Sequence, residues 1–250
     1  MAHNPIHLVH GLHAVQAALC RNAAAVTGVW VDDSRRDARM QEILTLAQQA
    51  KVTVHTITRQ QLDAMAAGAP HQGVVAQCAP AKAHTEDDLD SLLTTLSVPP
   101  FLLVLDGVQD PHNLGACLRS ADAAGVHAVV APRDKSVSLT PTVRKVASGA
   151  AESVPFIQVT NLARTLRMLR DAGVWLIGAD GTADASLYDA DLKGPLALVM
   201  GGEGKGLRRL TREHCDVLIR IPMHGSVESL NVSVATGICL YEAVRQRAKG

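Results

Sequence analysis

The chain has 250 residues, enough for two domains of ordinary size, and 47% of them are apolar, which is sufficient for hydrophobic cores. Lys plus Arg and Asp plus Glu both number 24, so the formal net charge is zero and the strongly basic balance of a dedicated nucleic-acid-binding domain is absent. Aromatic residues make up only 2%, so contact with a nucleic acid has to rely on phosphates and grooves rather than on base stacking.

The first segment, MAHNPIHLVHGLHAV, has no Lys or Arg ahead of an apolar core, and no apolar run approaches the roughly 18 residues of a membrane span. We therefore expect a cytoplasmic protein with no membrane partner. The five cysteines form no C-x-x-C pair, which favours small core residues in a reducing compartment. The histidines of the segment are His3, His7, His10 and His13. No acid or cysteine lies near them in the sequence, so we predict that they bind no metal.

Residues 1–81 predict a small α/β domain. Its predicted elements in chain order are a helix over 11–22, a strand VTGVWV, a helix over about 36–50, a strand VTVHTI, a short helix and a strand GVVAQC. Thr58 is placed to cap the short helix, and Gly68 to end it. The following segment, 83–100, carries four acidic residues and no basic ones, and it ends with two prolines. We therefore predict a linker over 82–99 and a second domain over 100–250.

From residue 101 onward, short apolar runs alternate with helical patterns. The predicted strands are FLLVL, HAVVA, VPFIQV, VWLIGA, PLALVM and VLIRIP, and the predicted helices begin at 114, after Thr140-Pro141, at 162, after PLALVM and at about 232. This alternation is typical of a mostly parallel sheet with helices on both faces. Ligands bind beyond the carboxyl ends of the strands in such sheets, and three unusual loops follow predicted strands here.

The first loop belongs to the segment DGVQDPHNLGACLRSADAAG, residues 106–125. Asn113 is well placed to cap the helix that Gly125 ends. Within that helix, Arg119 has only Asp122 as an acidic neighbour at i+3, which favours a surface ion pair. The spacing N-x-G-x-x-x-R among small residues favours a functional role instead, and both interpretations stay open at this point.

The second loop belongs to the segment LVMGGEGKGL, residues 198–207. A phosphate-binding P-loop requires Ser or Thr after its lysine, but Lys205 is followed by Gly206. The dinucleotide pattern G-x-G-x-x-G fails as well. The loop is either a glycine-rich turn with a solvated Glu203, or backbone that passes another segment closely with Glu203 directed at a fixed target.

The third loop belongs to the segment IPMHGSVESLNVSVATGICLYEAV, residues 221–244. Ser229, Asn231 and Ser233 alternate at the start of its predicted helix. Capping of the helix explains at least one of these residues. A cap needs only one such side chain, so the others favour a further role.

In this order and at these separations, NLGACLR, MGGEGKGL and IPMHGSVESLNVSVATGICLYE resemble the three motifs of the SpoU class of SPOUT RNA ribose 2′-O-methyltransferases. The first half, with HGLHAV and HQGVVA, is similar to the small RNA-substrate-binding domain found in part of this family. The resemblance covers nearly the whole chain. It implies an α/β catalytic domain with a trefoil knot, S-adenosylmethionine as cofactor, no metal, a homodimer, and a guanosine ribose of large-subunit (23S) rRNA as substrate.

The resemblance also implies a set of site residues. The cofactor is contacted, mostly through main-chain groups, at Gly201, Ile221 and Leu230. The polar residues around the transfer site are Asn113, Arg119, Glu203, Ser229 and Asn231. Because a guanidinium is a poor base, we expect Arg119 to clamp the ribose hydroxyl or the adjacent phosphate. In this hypothesis Glu203 and Asn113 bond the guanidinium of Arg119 and fix its orientation. Ser229 and Asn231 line the pocket for the substrate.

Four basic residues flank a segment rich in Ser, Thr and Pro, which we expect on the same edge of the sheet as the first loop: Arg133, Lys135, Arg144 and Lys145. This group is either part of a solvated loop or a contact for the RNA backbone, and its place on the same edge as the first loop favours RNA contact. Three alternative functions remain: a tRNA ribose 2′-O-methyltransferase, a non-catalytic knotted RNA-binding protein, and a nucleotide-dependent enzyme that uses GEGKG. The missing Ser or Thr disfavours the last of these.

Overall fold

A computed structural model of the chain describes residues 7–79, 84–204 and 206–248, with the side chains of His7 and Arg21 left out. The chain divides into two compact units, Met1–Lys82 and Ala83–Gly250. The predictions for His3, for the side chain of His7 and for Lys205 lie outside the described residues. Within the described part, no helix is long and apolar enough to cross a membrane.

The first unit is a small α/β domain, as predicted. Its strands are β1 (His7–His10), β2 (Val26–Asp32), β3 (Val54–Ile57) and β4 (Val74–Cys78), in the sheet order β1-β4-β2-β3. Its helices are α1 (Leu12–Asn22), α2 (Ala38–Gln49) and α3 (Arg59–Met65), and a 3₁₀ turn covers Ala23–Ala25. The predicted cap of α3 is confirmed, since Thr58 and Gln61 form a reciprocal capping box. Gly68 lies in the turn after α3 with φ +81°.

The second unit contains a seven-stranded sheet in the order β7-β6-β5-β10-β8-β11-β9, and every neighbouring pair is parallel. Its strands are β5 (Phe101–Asp106), β6 (Ala128–Pro132), β7 (Phe156–Val159), β8 (Trp175–Ala179), β9 (Ala185–Ser186), β10 (Leu196–Gly201) and β11 (Val217–Arg220). Its helices are α4 (Glu86–Thr95), α5 (Pro111–Ala123), α6 (Pro141–Ala147), α7 (Ala150–Ser153), α8 (Leu162–Asp171), α9 (Arg209–His214) and α10 (Val232–Arg247), and a 3₁₀ turn covers Leu187–Asp189.

Two apolar cores cover the two faces of this sheet. One core joins the sheet to α5, α6, α7 and α10, and the other joins it to α4 and α8. The strands are therefore buried on both sides, which explains why they appear in the sequence as continuous apolar runs. The predicted parallel sheet with helices on both faces is confirmed. The threading of a trefoil knot stays a prediction from the resemblance.

The segment predicted as a linker contains a helix. Three acidic residues occupy the first turn of α4, where they suit the helix dipole, and Asp88 closes a capping box with Thr85. Leu89 on the opposite face is fully buried in the second core. The acidic residues of this segment therefore belong to the first turn of a helix. The limits of the linker between the two predicted domains stay a prediction.

Candidate functional site

The three unusual loops open on one edge of the parallel sheet, as predicted. β5 and β10 are neighbours in register, so that Asp106 is paired with Gly201 at their carboxyl ends. β11 is separated from β10 by β8 alone. The loop after β5, the loop over residues 201–207, here called the glycine loop, and the loop over residues 221–230 consequently share this edge.

Glycines in the glycine loop allow backbone segments to pass at very short range. A Cβ atom on Gly201 would lie 2.1 Å from the carbonyl carbon of Gly206, and one on Gly202 would lie 2.4 Å from the carbonyl oxygen of Gly107. Real Cβ atoms do not approach backbone this closely, so no other residue fits either position without movement. Close passage of backbone, one of the two sequence interpretations, is confirmed.

Hydrogen bonds join three of the predicted site residues, one from each of the three motif segments. Asn113 Nδ2 donates to Glu203 Oε1 at 2.8 Å, and Asn231 Nδ2 donates to Asn113 Oδ1 at 3.0 Å. The other carboxylate oxygen of Glu203 accepts from the main-chain N–H of Gln109 at 3.5 Å. Glu203 is therefore directed at a fixed target rather than merely solvated.

Asn113 does not cap its helix, contrary to the sequence expectation. α5 begins at Pro111, and the carboxylate of Asp110 accepts from His112 N–H at 2.9 Å. Proline suits the first helical position because its missing N–H leaves no donor to satisfy there. Asn113 consequently lies in the first turn, 8% exposed, with its amide free to bond Glu203 and Asn231.

Asn231 has both of the functions that the sequence left open. Its Oδ1 accepts from Ser233 N–H at 2.9 Å and so caps α10, while its Nδ2 belongs to the chain of site residues. Ser233 Oγ also donates to Asn231 Oδ1 at 2.6 Å. Ser229 lies two residues earlier in the loop and is exposed.

Arg119 differs from its sequence expectations. It is exposed on α5 and forms no hydrogen bond or ion pair with any residue in the described ranges. The ion pair with Asp122, one of the two interpretations left open by the sequence, is not formed among the described residues, and Asp122 accepts from Ser153 Oγ at 2.8 Å. The predicted contact of Glu203 and Asn113 with the guanidinium is also not formed, because these two side chains bond each other.

Sequence reasoning missed two residues beside the glycine loop. Asp106 ends β5 and is buried, and its carboxylate bonds both the main-chain N–H and the guanidinium of Arg208. A signal was present, since Asp106 is the first charged residue after the apolar strand FLLVL. A buried carboxylate at the carboxyl end of such a strand requires a partner nearby.

Three cysteine thiols of the second unit have raised pKa values. Burial raises the pKa of Cys117 to about 11, and it raises that of Cys215 and of Cys239 to about 12. These groups stay protonated at neutral pH and are poor nucleophiles. The expectation of small core cysteines is thus confirmed for Cys117 and Cys239.

Family comparisons agree with this geometry. The profile of the SpoU rRNA Methylase family matches residues 100–241, and that of the RNA 2'-O ribose methyltransferase substrate binding family matches residues 8–84. The chain belongs to the SpoU rRNA methylase family. The resemblance of both halves of the sequence is therefore confirmed.

Similar SpoU proteins cover almost all of the chain. A protein of Photorhabdus laumondii named 23S rRNA (guanosine-2'-O-)-methyltransferase RlmB is 57% identical over 241 residues, 96% of this chain and 98% of that protein. The protein of the same name from Escherichia coli K12 is 56% identical over 241 residues, 96% of this chain and 99% of its own. The crystal structure of the SpoU methyltransferase AviRb from Streptomyces viridochromogenes in complex with AdoMet superposes with a TM-score of 0.77. It is 27% identical, and the match covers 98% of this chain and 92% of AviRb.

The three predicted cofactor positions lie at this edge of the sheet. Ile221 and Leu230 are half-buried. Gly201, at the end of β10, is half-buried and has no side chain. Since β8 separates β10 from β11, the ends of these two strands stand about 10 Å apart. Within the described chain, no three His, Cys, Asp or Glu side chains are grouped as metal ligands.

The predicted RNA-contacting cations differ in how available they are. Arg133, Lys135 and Lys145 are exposed, whereas Arg144 is half-buried and bonds Glu152 at 2.7 Å. Val137 N–H donates to the carbonyl of Val108 at 3.0 Å, so this basic segment lies beside the loop after β5. Its predicted place on the edge of the first loop is confirmed, and RNA contact stays a prediction.

Proposed function

We propose that this SpoU protein transfers a methyl group from S-adenosylmethionine to the 2′-hydroxyl of a guanosine ribose in 23S rRNA. The observation that carries the proposal is the hydrogen-bonded chain Glu203–Asn113–Asn231 beside the glycine loop. It joins one polar residue from each of the three SpoU motifs at the ligand-binding edge of the sheet. Relatives at 56–57% identity over nearly the whole chain bear the name of this activity.

In this proposal the main chain at Gly201, Ile221 and Leu230 would hold the cofactor. Bound there, S-adenosylmethionine supplies a methyl group that its sulfonium has already activated. The remaining task of the protein is to orient the ribose hydroxyl in line with that group and to stabilise the charge that develops on its oxygen as its proton passes to water.

Arg119 is the residue best suited to stabilise that charge. It stands six residues after Asn113 on α5, about 9 Å along the helix axis, and its guanidinium has no partner among the described residues. An unpaired guanidinium can bond a phosphate or an alkoxide through two parallel N–H groups. We assign Arg119 as a clamp on the RNA, while Glu203, Asn113 and Asn231 hold each other and shape the pocket with Ser229.

The exposed apolar surface of α10 suits contact with a second copy of the chain. Val234 and Tyr241 are 51% and 52% exposed and stand seven residues apart, and Ile238 lies between them on the same face. This apolar stripe begins beside Asn231, so a second copy packed against it would border the site. A homodimer is therefore part of the proposal.

The RNA substrate requires a cationic surface, and Arg133, Lys135 and Lys145 offer one beside the first loop. The first unit matches a family of substrate-binding domains, so we assign it to recognition of the RNA. A cytoplasmic location is consistent with an rRNA substrate and stays a prediction.

Mapping of ribose methylation tests the proposal in cells. We expect one guanosine of 23S rRNA to lose its 2′-O-methyl group when the protein is absent, and to regain it with the wild type but not with Arg119→Ala. Loss of a tRNA methylation instead would favour the tRNA alternative, and no change in any RNA would favour a non-catalytic protein. In vitro, S-adenosylmethionine should raise the Tm of the protein and ATP should not. A Tm raised by ATP instead would favour the nucleotide-dependent enzyme.

A further inference from the structure

Asp106 contacts both ends of the glycine loop. Its main-chain carbonyl accepts from Gly202 N–H at 2.9 Å, where the loop begins. One carboxylate oxygen accepts from Arg208 N–H at 2.9 Å, directly after the loop, and the other bonds the guanidinium of Arg208. Asp106, at the end of β5, therefore contacts the chain at the start of the glycine loop and directly after it, although this loop follows a different strand, β10.

The described residues of the loop are held at several points. Gly202 and Gly206 form an antiparallel bridge, Gly201 lies against the backbone of Gly206, and Leu207 is buried in the second core. Glu203 projects from this bridge to Asn113. The position of Glu203 and of the main chain at Gly201 consequently depends on where Asp106 holds the loop.

A role in stability alone explains Asp106 poorly. The side chain of Asp106 is fully buried, whereas that of Arg208 is 42% exposed. Removing a carboxylate from water costs free energy that a partly exposed partner offsets incompletely, and apolar residues of similar size usually serve stability as well or better. The contacts made by this carboxylate define a loop conformation, which favours a positioning role.

We propose that Asp106 is a positioning residue that acts through Arg208 and Gly202. It holds the glycine loop in the conformation in which Gly201 meets the cofactor and Glu203 meets Asn113. This inference rests on the proposed function, because it assumes that the glycine loop binds S-adenosylmethionine.

Three variants of the full chain separate the parts of this contact. Asp106→Asn removes the charge at nearly unchanged shape. Arg208→Gln removes the guanidinium but keeps the main-chain N–H, and Arg208→Lys keeps a charge that can pair with Asp106 at one point. Affinity for S-adenosylhomocysteine is measured by titration calorimetry, RNA affinity by filter binding, and the Tm without ligand by calorimetry.

We expect Asp106→Asn and Arg208→Gln to weaken S-adenosylhomocysteine binding about 10-fold, the value of one charge-assisted hydrogen bond, with RNA affinity unchanged. Arg208→Lys should recover part of this loss. Glu242→Gln is the matched control, since Glu242 is also a buried carboxylate with an arginine partner, Arg245, but on α10. It should lower the Tm without changing the affinity for S-adenosylhomocysteine.

Wild-type affinity in folded Asp106→Asn and Arg208→Gln would overturn the positioning role. A fall in RNA affinity equal to that for S-adenosylhomocysteine would overturn it too, because it would indicate general damage. If Asp106→Asn does not fold, the two Arg208 variants test the positioning role instead, since they retain every main-chain contact. Failure of the wild type to bind S-adenosylhomocysteine would instead contradict the proposed function.

Discussion

Asn231 shows how a single side chain serves the fold and the site together. Its oxygen caps α10, and its nitrogen bonds Asn113, which in turn bonds Glu203. A serine or aspartate would cap the helix equally well, but neither offers an amide nitrogen in addition to the capping oxygen. The amide is therefore required by the hydrogen-bonded chain rather than by the helix.

Replacement of Asn231 by Asp tests that separation. The carboxylate retains the cap, so the Tm should stay close to the wild-type value, whereas loss of the donor to Asn113 should lower methyl transfer about 10-fold or more. The control is Asn161→Asp, the same exchange at the cap of α8, which should affect neither quantity. Equal effects of both exchanges, or full activity of Asn231→Asp, would contradict the account.

Replacement of Arg119 by Lys tests the clamp. An ammonium cannot reproduce two parallel N–H bonds, so we expect methyl transfer to fall about 100-fold while binding of S-adenosylhomocysteine is kept. Arg119 is exposed and unpaired within the described chain, so the Tm should not change. Near-normal transfer by this variant would exclude a bidentate clamp.

Gly202 offers a test of close backbone passage within the glycine loop. Gly202→Ala places a Cβ 2.4 Å from the carbonyl oxygen of Gly107, so the loop must shift, at a cost of about 1–3 kcal/mol in stability. We expect S-adenosylhomocysteine binding to be lost. Gly194→Ala, where a Cβ meets nothing within 4 Å, is the control and should bind normally. Normal binding by Gly202→Ala would refute the importance of this crossing.

At the scale of elements, His127 connects two strands of the central sheet in a way that depends on pH. Its Nδ1 accepts from the main-chain N–H of Phe101, so β5 and β6 are joined through the neutral imidazole. Burial, with a smaller contribution from the charge of Arg247, lowers the pKa of His127 in the folded chain. The unfolded chain therefore binds more protons, and this contribution to stability is present above the ordinary histidine pKa of about 6.5 and declines below it.

A variant isolates that contribution. Between about pH 8 and about pH 5.5 the Tm of the second unit should fall more in the wild type than in His127→Gln, because glutamine does not titrate in this range. The measurement is differential scanning calorimetry at several pH values. An identical pH dependence of the two chains would contradict the role of His127.

The sequence predicted the elements of this fold well where one local pattern dominates. Continuous apolar runs predicted the parallel strands, and Thr58 predicted the start of α3, where the structure adds Gln61 as its capping-box partner. Only the capping prediction for Asn113 is wrong, because Asp110 and Pro111 form a stronger helix start just upstream. The contact between Asp106 and Arg208 was missed because 102 residues separate the partners, and only the sheet order β5-β10 brings them together.

At the scale of the whole molecule, the proposed homodimer is open to a direct test. Val234→Glu places a charge in the apolar stripe of α10 and should convert a dimer into monomers in analytical ultracentrifugation. Val98→Glu changes a residue of equal exposure outside α10 and should leave the dimer intact. A dimer that survives Val234→Glu, or a wild type that is monomeric, would contradict this part of the proposal.

The most direct test of the proposed function is methyl transfer from labelled S-adenosylmethionine to unmodified 23S rRNA by the purified protein, with the product mapped nucleotide by nucleotide. We predict that the label appears on the 2′-oxygen of a single guanosine. Label on a base, label on tRNA alone, or no transfer to any RNA would contradict the account.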